Sequence, residues 1–287
     1  RVESVLMASL LALLSSLLWG SADYHAGNLS KKFPAIAVLA VSQAIGFLTG
    51  LTLVVVTGAW HAEAFGSNGY LFPGILAGLF GYLGLISLYA ALSTGRMGVV
   101  SPISSLSALI PFSFALIYKG DQLSTILSIG VIFAMLGGFL ASGPEFSQGL
   151  PLKPLVLALG ATAGFGAALI FMSIGSDQSS LMTMVTMRAT TFFVSAAFFI
   201  QRGNLGGVTR KDIPLLAAIG VADFSANLLL GIATTKGLVS ISMVLGSLYP
   251  IATAVLAYLF LKERLHKVQY LGIALAVTGV ALISALQ

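Results

Sequence analysis

The sequence predicts an all-α membrane protein of ten transmembrane helices, arranged as two inverted five-helix repeats. Three observations predict it: too few charges for a water-facing surface, a series of long apolar runs, and a second half that repeats the motifs of the first. Only 8% of the 287 residues are charged and 57% are hydrophobic, whereas soluble domains carry about 25% charged residues. Such a chain needs lipid as its solvent. Helices are predicted rather than barrel strands. The runs are continuously apolar over about 20 residues, the length that crosses a bilayer, and do not alternate over about ten.

The runs lie at roughly 4–26, 34–57, 70–93, 98–118, 124–142, 153–174, 180–201, 213–235, 238–261 and 267–286. Turn-like or charged pieces separate them: NLSKKFP, WHAEAFGSNG, STGRMG, KGDQ, GPEFSQGLPLKP, IGSDQSS, RGNLGGVTRK, TTKG and KERLHK. None is long enough for a soluble domain. The first run is too long for the apolar core of a signal peptide and is read as a span. The net charge of +5 comes from basic residues in these connectors, where anionic headgroups attract them. It is not a nucleic-acid footprint. The absence of cysteine excludes disulfides, thiolate metal sites and thiol nucleophiles.

The repeat is visible by eye. SPISSLSALIPFSFA (101–115) lies over SISMVLGSLYPIATA (240–254), which matches Pro111 to Pro250. GVIFAMLGGFLAS (130–142) lies over GIALAVTGVALIS (272–284), which matches Gly130, Ala134 and Gly137 to Gly272, Ala276 and Gly279. Asp121 lies over Glu263, and LALLSSLLWG (11–20) over LALGATAGFG (157–166). Residues 1–147 and 148–287 are therefore predicted to be two copies of one unit. Five spans is an odd number, so the second copy enters the membrane upside down. Many secondary transporters are built this way, with a substrate site near the midplane between the halves.

These features resemble a known family. Ten spans, LLWGSADY closing the first, a midspan proline in spans 4 and 9, and the C-terminal LYPIATAVLAYLFLKERLHKVQYLGIALAVTGVALI are similar to the EamA family of the drug/metabolite transporter superfamily. The resemblance covers nearly the whole chain. In the first copy, KGDQ replaces the acidic–basic connector that the second carries as KERL. The resemblance implies a secondary transporter of the inner or plasma membrane, often an exporter of amino acids or other metabolites. It also implies a central cavity lined by spans 1, 3, 4, 6, 8 and 9.

Asp223 is the first candidate site residue, because a charge central in span 8 costs about 2.5–3.5 kcal/mol to insert. Gly220, Asp223, Asn227 and Gly231 share one helix face. Asp223 is read as a substrate-binding or proton-carrying carboxylate with Asn227 beside it, or else as a structural partner of a buried group. Arg188, well inside span 7, can hold a substrate carboxylate or phosphate, pair with Asp223, or snorkel to the headgroups. Gln43 takes the equivalent place in the first copy. Trp19, Tyr82, Tyr89, Tyr249 and Ser104 complete the expected substrate-binding set. Trp19 lies over Phe165, as paired aromatic walls would. Asp23 and His25 are read as residues in headgroup water. Opposite charges on Arg188 and Asp223 favour a zwitterion such as an amino acid, provided the two do not pair with each other. Pro111 and Pro250 each remove a backbone hydrogen bond and are expected to kink their spans as static bends or as hinges.

The expected function is secondary transport, with export as the favoured direction, of a small metabolite by alternating access. The alternative is a lipid or hydrophobic-drug carrier or flippase. No enzyme is expected, since the three histidines are scattered and no acidic pair sits within a span. No filter element or charge ring marks a channel. The partners expected are a small-molecule substrate and membrane lipids, in a monomer or homodimer, with no metal, cofactor or nucleic acid. Connectors on the side facing away from the termini carry ten basic residues against three on the other. The positive-inside rule therefore places both termini outside.

Overall fold

The computed structural model describes residues 2–60, 63–94, 97–147, 149, 151–204, 206–262 and 264–285; at 2, 89, 92–94, 97, 98 and 202 it describes the backbone alone. All regular structure among the described residues is helical. The elements are α1 (Val2–Ser30), α2 (Ala35–Thr57), α3 (Leu71–Thr94), α4 (Met97–Ser105), α5 (Leu109–Phe114), α6 (Thr125–Ala141), α7 (Leu152–Arg202), α8 (Ile213–Lys236), α9 (Val239–Gly246), α10 (Tyr249–Leu261) and α11 (Lys267–Ala285). Eight helical segments are long and apolar enough to cross a membrane, and α6 is a shorter apolar helix. The protein is an integral membrane protein.

The structure differs from the sequence expectation at the IGSDQSS connector, which is not a loop. Helix α7 runs through it, and only Ser179 leaves helical geometry (φ −158°, ψ 110°). The physical reason is a cap. The Ser179 hydroxyl accepts the Met182 N–H at 3.3 Å, as an N-cap serine does for a new first turn. One residue thus ends one helical arm and starts the next. Gly175 makes the fold-back possible, since a Cβ there would lie 2.6 Å from the Thr183 side chain.

The two prolines do more than kink. Around Pro111, 3-10 turns at Leu106–Ala108 and a π turn at Ala115–Lys119 flank α5. Near Pro250, the helix stops at Gly246 and restarts at Tyr249. Proline lacks the N–H that would have bonded to the carbonyl four residues back, so both spans are discontinuous at matched positions. Before α8, Thr209 donates its N–H and hydroxyl to Asp212 at 2.9 and 2.7 Å. This holds the Asp212 carboxyl below the usual carboxylate range.

Small residues set the helix crossings, as close packing in lipid requires. Helices α6 and α11 touch along their matched glycines. A Cβ on Gly130 would meet the Gly279 carbonyl at 3.1 Å, and one on Gly272 the Gly137 carbonyl at 2.7 Å. A second pair of crossings has the same form. On α3, a Cβ at Gly78 would meet the Met187 carbonyl oxygen and the Thr190 side chain. On α8, one at Gly220 would meet the Ser42 carbonyl oxygen and Ile45. Because the Gly220 obstacle is backbone, Gly220→Val should lower stability by about 1–3 kcal/mol or more. A lowered unfolding midpoint in detergent checks this; an unchanged midpoint contradicts the crossing.

Candidate functional site

Asp223 lies midway along α8, half-buried, and four helices converge on it. Arg188, from the second arm of α7, pairs with Oδ2 through Nη2 at 2.7 Å. Gln43 of α2 donates through Nε2 to the same oxygen at 3.2 Å. Trp19 of α1 donates its indole N–H to Oδ1 at 3.1 Å. Asn227, one turn along α8, donates to the Asp223 carbonyl at 2.8 Å and reaches Oδ1 at 3.4 Å. Gln43 is the hinge pin of the network. Its Oε1 accepts from Arg188 Nη1 at 2.8 Å and from the Thr191 hydroxyl at 2.9 Å. The opposite amide orientation would set its NH2 against the guanidinium and its carbonyl against the carboxylate, losing both of those bonds.

Of the three roles weighed for Arg188, the geometry is the pair with Asp223. Arg188 is only 4% exposed. A guanidinium and a carboxylate that satisfy each other are not two free charges awaiting a zwitterion, so that argument for an amino acid fails.

The network forms one wall of a cavity of about 230 Å³ between the helices. Trp19, Arg188, Asp223, Asn227 and Tyr249 line it. Trp19 and Tyr249 meet edge-on, ring centres 6.2 Å apart, and Phe165, the repeat partner of Trp19, also lines the cavity. Two expected residues lie elsewhere. Tyr82 is buried and stacks on Phe198. The Ser104 hydroxyl turns back to its own helix, donating to the Val100 and Ser101 carbonyls. A serine in an apolar helix has that backbone partner always within reach. The Tyr89 side chain and Glu263 lie outside the described residues. Residues of α2 and of the second arm of α7 line the cavity, beyond the spans that the resemblance implies.

Among the lining residues missed from the sequence are Gln43, Thr191 and Asp23. Gln43 carried a signal, its match to Arg188 across the repeat. Asp23 had one too, its place one turn after Trp19. The sequence reading ended the first run at about residue 26 and so placed Asp23 with the headgroups, yet α1 continues to Ser30 and Asp23 lines the cavity.

The cavity is off-centre. It takes α1 residues 19–26, α2 residues 38–43 and α3 residues 81–88, which all lie toward the connectors rich in lysine and arginine. The apolar cluster of Ala22, Leu29, Val38, Leu216 and Ile219 gathers the matching ends of α1, α2 and α8. At the other end of the bundle, polar contacts join the connectors. Lys119 pairs with Asp177, and Gln178 donates to Glu63 at 2.8 Å. Asp121 accepts both the N–H and the hydroxyl of Ser240, at 2.8 and 2.7 Å. It thereby caps α9 from outside the helix.

Comparison with known proteins gives three results. An uncharacterised protein of Methanocaldococcus jannaschii is 27% identical over 130 residues, which are 45% of this chain and 95% of the relative. That relative is therefore about as long as one half of this chain. A solved structure described only as the crystal structure of a protein has the same fold, with a TM-score of 0.79 at 17% identity, covering 97% of this chain and 96% of that one. The model of the EamA-like transporter family matches twice, over residues 6–143 and 152–285. With both halves matched and its helices apolar throughout, this chain belongs to the EamA-like transporter family.

Proposed function

We propose that the protein is a ten-helix secondary transporter that carries a small metabolite through the central cavity by alternating access, most simply as an exporter. One observation carries the reading: a membrane-buried, charged and aromatic-walled cavity sits where four helices from both halves meet. The break at Ser179 divides α7 into two spans, and α6 with the paired segments α4–α5 and α9–α10 brings the total to ten.

The inverted repeat is supported by reciprocal contacts. Gly130 touches Gly279 while Gly137 touches Gly272, and these are matched residues exchanged. Gln43 bonds its own counterpart, Arg188. Contacts that survive exchange of the halves are what a two-fold axis between them produces. Antiparallel α6 and α11 require that axis to lie in the membrane plane, as in many transporters. The units are then 1–147 and 148–287. The lipid-carrier alternative gains less from this site, because a lipid path needs a seam open to the bilayer rather than an ion-paired pocket.

In this reading the cavity faces the basic connectors, which is the cytoplasmic side, and the contacts at Lys119–Asp177, Glu63–Gln178 and Asp121–Ser240 close the other side. Asp223 is the switch. Its pair with Arg188 ties α1, α2, α7 and α8 together, and a proton taken up by Asp223 would release Arg188 and loosen that tie. The breaks at Pro111 and Pro250 give the two halves places to bend.

Three outcomes are expected. Ser247 lines the cavity and the chain has no cysteine, so Ser247→Cys gives a single thiol there. It should react with an impermeant maleimide from the cytoplasmic face alone in the resting protein; labelling from the outer face alone reverses the orientation. Arg188→Met strands a buried carboxylate, for which the usual loss is about 3–5 kcal/mol. The lower end is expected, because Asp223 keeps 24% of its side chain exposed. Arg188→Met with Asp223→Asn should lose clearly less in a denaturation series, and an equal loss argues against the pair. In proteoliposomes Asp223→Asn should transport without pH dependence, and a pH profile unchanged from the parent removes proton coupling at that residue.

A further inference from the structure

Asp23 is the carboxylate in the cavity that nothing satisfies. It projects from α1 one turn after Trp19, lines the same cavity as the Asp223 network, and is exposed there. Among the described residues it accepts no hydrogen bond and has no ion-pair partner. The cavity lining holds three charged side chains, Asp23, Asp223 and Arg188. Arg188 is committed to Asp223 at 2.7 Å, so of the three Asp23 alone has no charged partner. Trp19, Phe165 and Tyr249 line the same cavity. Aromatic rings favour an organic cation through their quadrupoles. An unpartnered anion with aromatic walls is a receptor for an ammonium group attached to an apolar body. It offers little to a substrate carboxylate while the guanidinium is paired with Asp223 and 4% exposed.

We propose that Asp23 selects the substrate class: an organic cation carrying an ammonium group, rather than a zwitterion or an anion. The inference rests on the transporter reading of the same cavity. The titratable and charged groups that share the cavity with Asp23 are Asp223 of α8 and Tyr249 of α10, from elements packed on α1, and Arg188 of α7. The probes therefore carry charges that do not depend on them.

The test uses the full chain in detergent with Trp60→Phe, so that Trp19 is the single tryptophan and reports cavity occupancy; Trp60 is 68% exposed in a connector. Four probes share a phenyl body: phenyltrimethylammonium, phenylalanine, 3-phenylpropionate and 3-phenylpropanol. Saturable change of Trp19 emission is expected with phenyltrimethylammonium. Its apparent affinity should fall at least ten-fold in Asp23→Asn and be largely kept in Asp23→Glu. Asp23 has no protein partner to lose, so Asp23→Asn should unfold at the parent midpoint, and that midpoint is measured alongside. If phenylalanine or phenylpropionate binds as tightly as the cation, or if the cation binds Asp23→Asn unchanged, the inference fails while transport through the cavity stands. If no probe of any charge perturbs Trp19 and proteoliposomes accumulate none of them, the transporter reading of the cavity falls with it.

Discussion

Asp223 has more than ten residues of apolar helix on one side and about ten on the other, some 15 Å each way. A lone carboxylate at that depth would oppose insertion and folding alike. The fold answers by bringing a guanidinium, an amide and an indole to it from three other helices, with a second amide from its own. This requirement orders the centre of the molecule. The second arm of α7 must present Arg188 inward, α2 must hold Gln43 between cation and anion, and α1 must turn Trp19 to the same point. The crossing of Gly220 against the Ser42 backbone is what lets α8 come close enough to α2 for an amide to reach the carboxylate.

The same constraint shapes the cavity. A site whose strongest cation is spent on its own anion has a different ligand preference from one with both charges free. The difference rests on one distance, that between Arg188 and Asp223, and on the presence of Asp23 in the same lining. Charge content of a pocket is therefore a poor guide to its ligand until internal pairs are subtracted.

Symmetry is the second organising feature. Matched glycines exchange contacts between α6 and α11, and Gly78 and Gly220 make equivalent crossings on α7 and α2. The functional chemistry departs from that symmetry. Arg188 stands opposite Gln43, and Trp19 opposite Phe165. The family model matches both halves, so the scaffold is duplicated. The unequal residues at matched positions are what make one carboxylate and one guanidinium face each other, instead of two like groups.

Much of the architecture could be read from the chain itself. Apolar length, proline and glycine positions and the internal repeat are local properties, and lipid as solvent forces each long run into a helix. Asp223, Asn227, Arg188, Trp19 and Tyr249 could be singled out because a polar group in such a run is costly wherever it points. Ser104 shows the limit of that signal, since its backbone partner lay within its own helix. The partners had to come from tertiary structure. Whether Arg188 meets Asp223 or a ligand depends on the rotation of α7 relative to α8, which the sequence of either helix does not contain. Asp23 turns on the same point: seven residues from a helix end can mean headgroup water or a cavity mouth, and only the packing of α1 against α2, α8 and α10 decides which.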